Sequence, residues 1–280
     1  MITAMAINSA VALAERRAGK PGSGIYSGRA RVLIERSLYA AKSSNWLVIV
    51  SGFVEPVLYL MAFGFGIGQL IGNVDDGTGS LVPYAAFIAP ALLATSAMNG
   101  AIYDSTWNVF FKMHFGKVYQ VMLSSSLGPM DVALGEISWA LMRGATYSVG
   151  FMAIVAPLGL VSNAWGLLAI PAATLIAFGF ASIGMAITSY MKNFQQMNWI
   201  NFFLLPMFLF SGTFFPVSVY PDWIEAIVKA LPLWQGVELV RSLMLGIMDV
   251  SILGHIAYFL VMIALGLTFT TVRLKALFMR

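Results

Sequence analysis

The sequence predicts an all-α integral membrane protein with six transmembrane helices, an N-terminal interfacial helix, and re-entrant outer helices between spans five and six. Three observations predict it. Six apolar stretches each approach or exceed the ~20 residues that a helix needs to cross ~30 Å of hydrocarbon. Only 10% of the 280 residues are charged and 59% are hydrophobic, whereas a soluble domain carries about 25% charged residues. The basic residues gather on one side of the stretches. In lipid a backbone must satisfy its own hydrogen bonds, so the stretches are expected to be helices.

Residues 1–28 read as a cytosolic flexible tail. The run from Met1 to Ala14 is apolar and Glu15, Arg16 and Arg17 follow it, the reverse of the charge order in a signal peptide. Pro21 with Gly19, Gly22, Gly24 and Gly28 makes its second half linker-like. Residues 29–280 read as one transmembrane domain. Over residues 29–45, Leu33, Ile34, Ser37, Leu38 and Ala41 share one helical face and Arg29, Glu35, Arg36 and Lys42 the other. That pattern suits a helix in the headgroup layer, or a plain extension of the first span. The spans are predicted at 47–71, 82–108, 131–156, 165–190, 195–214 and 252–272. A polar loop with Asn73, Asp75 and Asp76 follows the first, an uncharged turn follows the third, and Lys192 with Asn193 mark the turn before the fifth.

Orientation follows from the count of basic residues. With the N-terminus in the cytosol, thirteen of the sixteen lysines and arginines lie inside. Lys229 and Arg241 lie outside and Arg143 lies within a span. The positive-inside rule places both termini in the cytosol, across a bacterial inner membrane. Trp46, Trp107, Trp165, Trp223 and Tyr84 fall near span ends, as an aromatic belt does. The net charge of +4 thus reports topology and implies no nucleic acid partner. No residues repeat in a way that supports an inverted-repeat transporter.

Several chemistries are excluded. There is no cysteine, which removes disulfides and thiolate sites. The two histidines, His114 and His255, are far apart in sequence. Gly116-Lys117 lacks the rest of a P-loop, and G-x-S-x-G and H-E-x-x-H are absent, so the chain is expected to carry no cofactor and no catalytic residues. An intramembrane enzyme is remote for the same reason.

Four charges fall within spans: Glu55, Asp104, Glu136 and Arg143. Such residues are costly in hydrocarbon and face a bundle interior or water. Glu136 and Arg143 are seven apart and share a helix face about 10 Å apart. Glu55 or Glu136 is the expected partner of Arg143. Glu55, Glu136 and Arg143 can line a translocation path or gate, or form structural salt bridges. Gly64, Gly68 and Gly72 form a close-packing stripe whose partner helix can lie in this chain or in a second copy.

Two connections stand out. Residues 109–129 hold Phe110, Phe111, Lys112, Phe115, Lys117, Tyr119 and Met122. They suit a docking knob for a soluble partner or a short joining helix. Residues 215–250 contain Pro216, Pro221-Asp222-Trp223, Glu225 and Pro232. Two amphipathic helices are expected there, at 222–230 and 233–245, dipping toward the outer leaflet. Proline suits a first helical turn, and Asp222 with Glu225 has capping-box spacing.

At this point the chain resembles the membrane subunits of ABC type-2 exporters, and among them permeases similar to nodulation-factor and drug-resistance exporters. Glu55-Pro56-Val57-Leu58-Tyr59-Leu60 with Gly64, Gly66 and Gly68 resembles that family's first span. Tyr84 to Pro90 with Ala94-Thr95-Ser96-Ala97-Met98 resembles the second, and Leu134-Gly135-Glu136 with Trp139-Ala140 the third. The most specific likeness is Ser211-Gly212-Thr213-Phe214-Phe215-Pro216, then Leu231-Pro232-Leu233, Leu239-Val240-Arg241 and Leu245-Gly246. The resemblance implies a permease dimer, a homodimer by expectation, that docks two separate ATPase chains holding Mg-ATP. It implies a coupling helix within Lys112–Met122, with Lys112, Phe115, Lys117, Val118 and Tyr119 toward the ATPase. It implies outer re-entrant helices marked by Pro216, Trp223, Pro232 and Arg241. The expected function is export of an amphiphilic cargo (a drug, a lipid or a lipid-linked oligosaccharide) through a membrane-spanning permease. The alternative is a stand-alone ion- or proton-coupled carrier or channel.

Overall fold

The computed structural model describes residues 25–42, 46–76 and 79–278. Of the tail assigned to residues 1–28, all but its last four residues lies outside the described part.

Helix α1 spans Ala30–Lys42. Leu33 and Ser37 are buried on one face, and Arg31 pairs with Glu35 at 2.8 Å on the other. The buried face rests on Gly135 of a later helix. A Cβ on Gly135 would come within 2.5 Å of Leu33 Cβ, so the missing side chain sets the approach. Helix α2 (Trp46–Tyr59) runs on through a π-helical stretch at Leu60–Ile67 into a last turn, α3, at Gly68–Ile71. Pro56 lies inside α2 and has no N–H for the carbonyl four residues back. That carbonyl, on Gly52, instead accepts a 3.1 Å bond from the Ser96 hydroxyl of a neighbouring helix. Two glycines of the stripe meet a helix of this chain, Gly64 abutting Ala85 and Gly68 abutting Tyr84, while a Cβ on Gly72 would meet nothing within 4 Å.

The polar loop after the first span is a small antiparallel hairpin, β1 (Asn73–Asp75) with β2 (Leu81–Pro83), in the register Val74↔Val82. Three-residue strands are too short to show a period-two pattern, which hides them in the sequence. Helix α4 (Tyr84–Tyr103) continues through a second π stretch (Asp104–Asn108) into α5 (Val109–His114). The helix therefore runs past the predicted end at 108, because no glycine or proline lies between Asn108 and Gly116. A tight turn, with Lys117 in the left-handed region at φ +47°, leads to α6 (Val118–Leu123). Then come α7 (Pro129–Val155), α8 (Ala169–Tyr190) and α9 (Met197–Phe210). Helices α10 (Asp222–Ala230) and α11 (Pro232–Leu245) precede α12 (Ser251–Phe278). Pro221 is the N-cap of α10 with no side-chain cap bond, so Asp222 and Glu225 do not form the expected capping box. Pro232 does sit in the first turn of α11.

Helix α4 is the centre of the bundle, packed by α8, α11 and α7. Its alanines, from Ala85 to Ala101, are buried and let its neighbours come close. Helices α8 and α12 cross closely where a Cβ on Gly266 would lie 2.5 Å from the Ser182 backbone. By contrast α2 and α9 present wide apolar faces outward, including Leu58, Trp199, Phe202 and Phe203.

Among the described residues, four helical stretches are long and apolar enough to cross a membrane: Val54–Ile71, Tyr84–His114, Ala164–Tyr190 and Ser251–Phe278. Helix α7 has the length, at 27 residues, but carries Asp131, Glu136 and Arg143. Helix α9 has only 14 residues, about 21 Å at 1.5 Å per residue. It ends where Gly212 takes φ +68°, short of the predicted end at 214. The chain is thus an all-α, multi-pass membrane protein by composition and fold.

Candidate functional site

Three places gather the charged and polar side chains. One end of the bundle carries Arg36, Lys112, Lys117, Lys192 and Arg273 and is here termed the basic end. At that end α7 begins at Pro129 with Asp131 in its first turn. Asp131 is fully buried. Its two oxygens accept backbone N–H bonds from Ser27 at 2.7 Å, Arg29 at 2.8 Å and Gly128 at 2.9 Å. Met130 N–H donates in turn to the Ile25 carbonyl at 3.0 Å. Residues 25–29 are therefore strapped to the start of α7, ahead of α1. Sequence reading treated residues 25–28 as part of a linker. The partners of Asp131 lie about a hundred positions away in sequence, which no local pattern reports.

One turn further into α7, Glu136 is buried. It meets Lys112 Nζ at 2.5 Å and Arg36 at 3.6 Å. Lys112, expected to face an ATPase, is thus committed to an ion pair within the chain. Tyr119 is 0% exposed and has no surface to offer a partner, which corrects its expected contact. Burial pushes its phenol well above the usual range, and the nearby Glu136 charge adds to the shift. The exposed side chains of this segment include His114, Phe115, Lys117, Gln120 and Val121, with Val118 half-buried. Phe115 also stacks within an aromatic cluster of Phe110, Phe111 and Phe194.

The second place is a cleft of about 660 Å³ between α2, α4, α7 and α9. From α2 it is lined by Glu55 and Tyr59, and from α4 by Asn99 and Tyr103. Helix α7 adds Arg143 and Tyr147, and α9 adds Asn201, Leu205 and Phe208. Both π stretches start beside it, directly after Tyr59 and directly after Tyr103. The Tyr147 ring occupies space left by two glycines, since a Cβ would meet it at 2.1 Å from Gly52 and 3.2 Å from Gly100.

Of the three residues proposed for a path or gate, Glu55 and Arg143 share this cleft, while Glu136 belongs to the basic end. Arg143 does not pair with Glu55 or Glu136 as expected. It binds Asp104 at 2.9 Å, and Asp104 also accepts from Asn108 at 2.6 Å. Helical spacing shows which charges share a face but not which neighbouring helix stands opposite. Sequence reading also missed Asn99 and Asn201, amides that lie within apolar stretches.

The third place is the opposite end. Arg241 of α11 is 3% exposed. Its guanidinium donates to the Gly212 carbonyl at 2.7 Å, pairs with Glu238 and lies 4.0 Å over the Phe87 ring. It ties α11 to the turn after α9 and to α4. Pro216 caps a short 3₁₀ turn, and Trp223 is exposed on α10.

A polytopic helical bundle with a polar cleft in its middle and a short helical knob between its second and third long helices has the build of a transport permease. The comparisons with known proteins agree. The ABC-2 type transporter family matches residues 29–245, and the chain belongs to that family. Nodulation protein J of Sinorhizobium fredii is 33% identical over 211 residues, covering 75% of this chain and 79% of that protein. Nodulation protein J of Rhizobium leguminosarum bv. viciae is 29% identical over 246 residues, 88% of this chain and 93% of that one. The inner membrane transport permease YadH of Escherichia coli is 24% identical over 226 residues, 78% and 85% of the two chains. The chain is accordingly the membrane permease of an ABC transporter, and membership of this family implies an ABC ATPase as partner.

Proposed function

We propose that the chain is the permease subunit of an ATP-driven exporter that moves an amphiphilic cargo out of a bacterial cytoplasm. The basic end faces the cytosol, with both termini, because positive residues are retained on that side. Residues 29–280 form one transmembrane domain and residues 1–28 a cytosolic tail. Helices α7 and α9 complete a six-span bundle: α7 shelters its charges within the protein, and α9 spans with its flanking turns. Helices α10 and α11 are the re-entrant pair on the outer side. Two copies of the chain meet across the apolar faces of α2 and α9, and two ATPase chains holding Mg-ATP dock beneath.

The observation that carries the reading is the α6 knob. It projects at the basic end, with Phe115, Lys117 and Val121 exposed on a base held by Glu136, Lys112 and the buried Tyr119. A rigid base lets movement of a bound ATPase reach α4 and α7 directly. The cleft lies between those same helices, which supports it as part of the cargo path.

The test is reconstitution. Permease and ATPase together should drive ATP-dependent export in vesicles, and Lys117→Glu with Val121→Asp should reduce ATPase co-purification at least several-fold. Transport by the permease alone would overturn the reading in favour of a stand-alone carrier. Labelling of Lys117 from the outer side would overturn the orientation.

A further inference from the structure

The cleft is electrically lopsided. Its one basic lining residue, Arg143, is already compensated by Asp104 at 2.9 Å. Its one acidic lining residue is Glu55. Glu55 is exposed at the cleft and makes no ion pair or hydrogen bond among the described residues. A carboxylate without a counter-charge inside a membrane helix is expensive and marks function by default. The surroundings point to what completes it. Tyr59 stands one turn along α2 from Glu55, and Tyr103, Tyr147 and Phe208 line the same space. The faces of such rings carry negative charge and attract cations. Asn99 and Asn201 add amide oxygens.

We propose that this cleft binds the ammonium group of a cationic amphiphile, with Glu55 as counter-charge and the tyrosines as its wall. The proposal rests on the reading of the cleft as cargo path and names the chemistry of that cargo. Three alternatives fit less well. An anionic head would have to draw Arg143 from Asp104 and leave a buried carboxylate uncompensated. A bare metal ion needs several oxygen ligands, and no cluster of three acidic or histidine side chains occurs among the described residues. A purely apolar ligand would leave Glu55 desolvated and unpaired. The volume, about 660 Å³, is that of a drug-sized site. An ammonium group can come from a soluble amphiphile or from a phosphatidylethanolamine headgroup, and the cleft recognises the shared chemistry.

The test uses the permease with its ATPase in lipid nanodiscs. Three dansyl-decyl probes are titrated by fluorescence: a trimethylammonium, an alcohol and a sulfonate. The wild-type complex should bind the ammonium probe about tenfold or more tightly than the alcohol, a factor equal to about 1.4 kcal/mol. Glu55→Gln should abolish that preference, and Glu55→Lys should turn it toward the sulfonate. Equal binding of ammonium and alcohol by the wild type, or an unchanged preference in folded Glu55→Gln, overturns the proposal. Discs of phosphatidylglycerol and phosphatidylethanolamine separate the sources. Competition by the second identifies lipid as the ligand, and its absence a soluble amphiphile. Intact ATPase docking and ATP-driven export with no ammonium preference would sink this assignment alone. Charge-selective binding without any ATP dependence of transport would sink the exporter reading and leave the assignment standing.

Discussion

The basic end and the cleft treat the same functional group in opposite ways. At the basic end every buried carboxylate is closed. Asp131 collects three backbone N–H groups, and Glu136 collects a lysine and an arginine. Beside the cleft, Asp104 meets Arg143 and Asn108 through one oxygen, its other oxygen being buried without a partner, while Glu55, which lines the cleft, has no counter-charge among the described residues. A closed network is scaffold, because its partners are all within the chain. An open charge is held by the fold at a cost and is completed only from outside. The difference separates residues that build the bundle from those that face a visitor.

The strongest way to break this contrast is at the closed pairs. Asp104→Ala leaves the half-buried Arg143 uncompensated, and stability should fall by about 3 kcal/mol or slightly more. Denaturant unfolding in detergent measures it. The double variant Asp104→Ala, Arg143→Met should recover much of that loss, because an apolar pair replaces the ion pair. A loss under about 1 kcal/mol in the single variant would mean that Arg143 finds its counter-charge elsewhere, with Glu55 the first candidate.

Asp131→Ala comes next. It orphans three backbone donors, each worth about 1–3 kcal/mol when buried. Some of them reach water at this end of the bundle, so about 3 kcal/mol is expected in all. The local signature is release of residues 25–29 from α7. Limited proteolysis should then cut near Tyr26, with α12 unaffected.

Gly135→Ala sharpens the contrast by steric means. Its new Cβ would meet Leu33, and overpacking of this kind costs about 1–3 kcal/mol. Adding Leu33→Ala should restore part of the loss by giving the space back. If Gly135→Ala is harmless, α1 is not seated on α7 as described.

How much of this was legible in the sequence depends on the range of the interaction. Helix α10 occupies the predicted 222–230, because its amphipathic pattern is local. The buried face of α1 was likewise readable from Leu33 and Ser37. The short segment between the second and third long helices was singled out, but its outward residues were not separated from its inward ones. Lys112 turns inward because Glu136, in α7, pairs with it, and Tyr119 turns inward with its ring, its buried hydroxyl having no partner. Periodicity assigned Glu136 and Arg143 to one face of α7, yet the face meets Lys112 at one level and Asp104 at another. Asp104 and Glu55 look alike in sequence, each a lone acid in an apolar stretch. Only the packing of the tertiary fold shows that Asp104 meets Arg143 of α7 and that Glu55 of α2 meets no counter-charge among the described residues. The hairpin at 73–83 escaped because six paired residues are too few to carry a pattern.

The smallest effect is expected at Glu55, and it decides most. Glu55→Gln removes no hydrogen bond and no ion pair among the described residues, so no contact is lost. It also relieves the cost of keeping a carboxylate without a counter-charge in a membrane helix. Stability should therefore stay within about 0.5 kcal/mol of the wild type or rise slightly. The same substitution at Glu136 breaks contacts to Lys112 and Arg36 and should be clearly destabilising in the same unfolding measurement. A neutral or stabilising change at Glu55 with impaired transport is the pattern of a residue that serves a ligand at the expense of the fold. A drop above about 1 kcal/mol would instead show that Glu55 has a structural partner when a second copy or the ATPase is bound. The carboxylate would then belong to the assembly's scaffold, and the cleft would lose the charge that makes it selective.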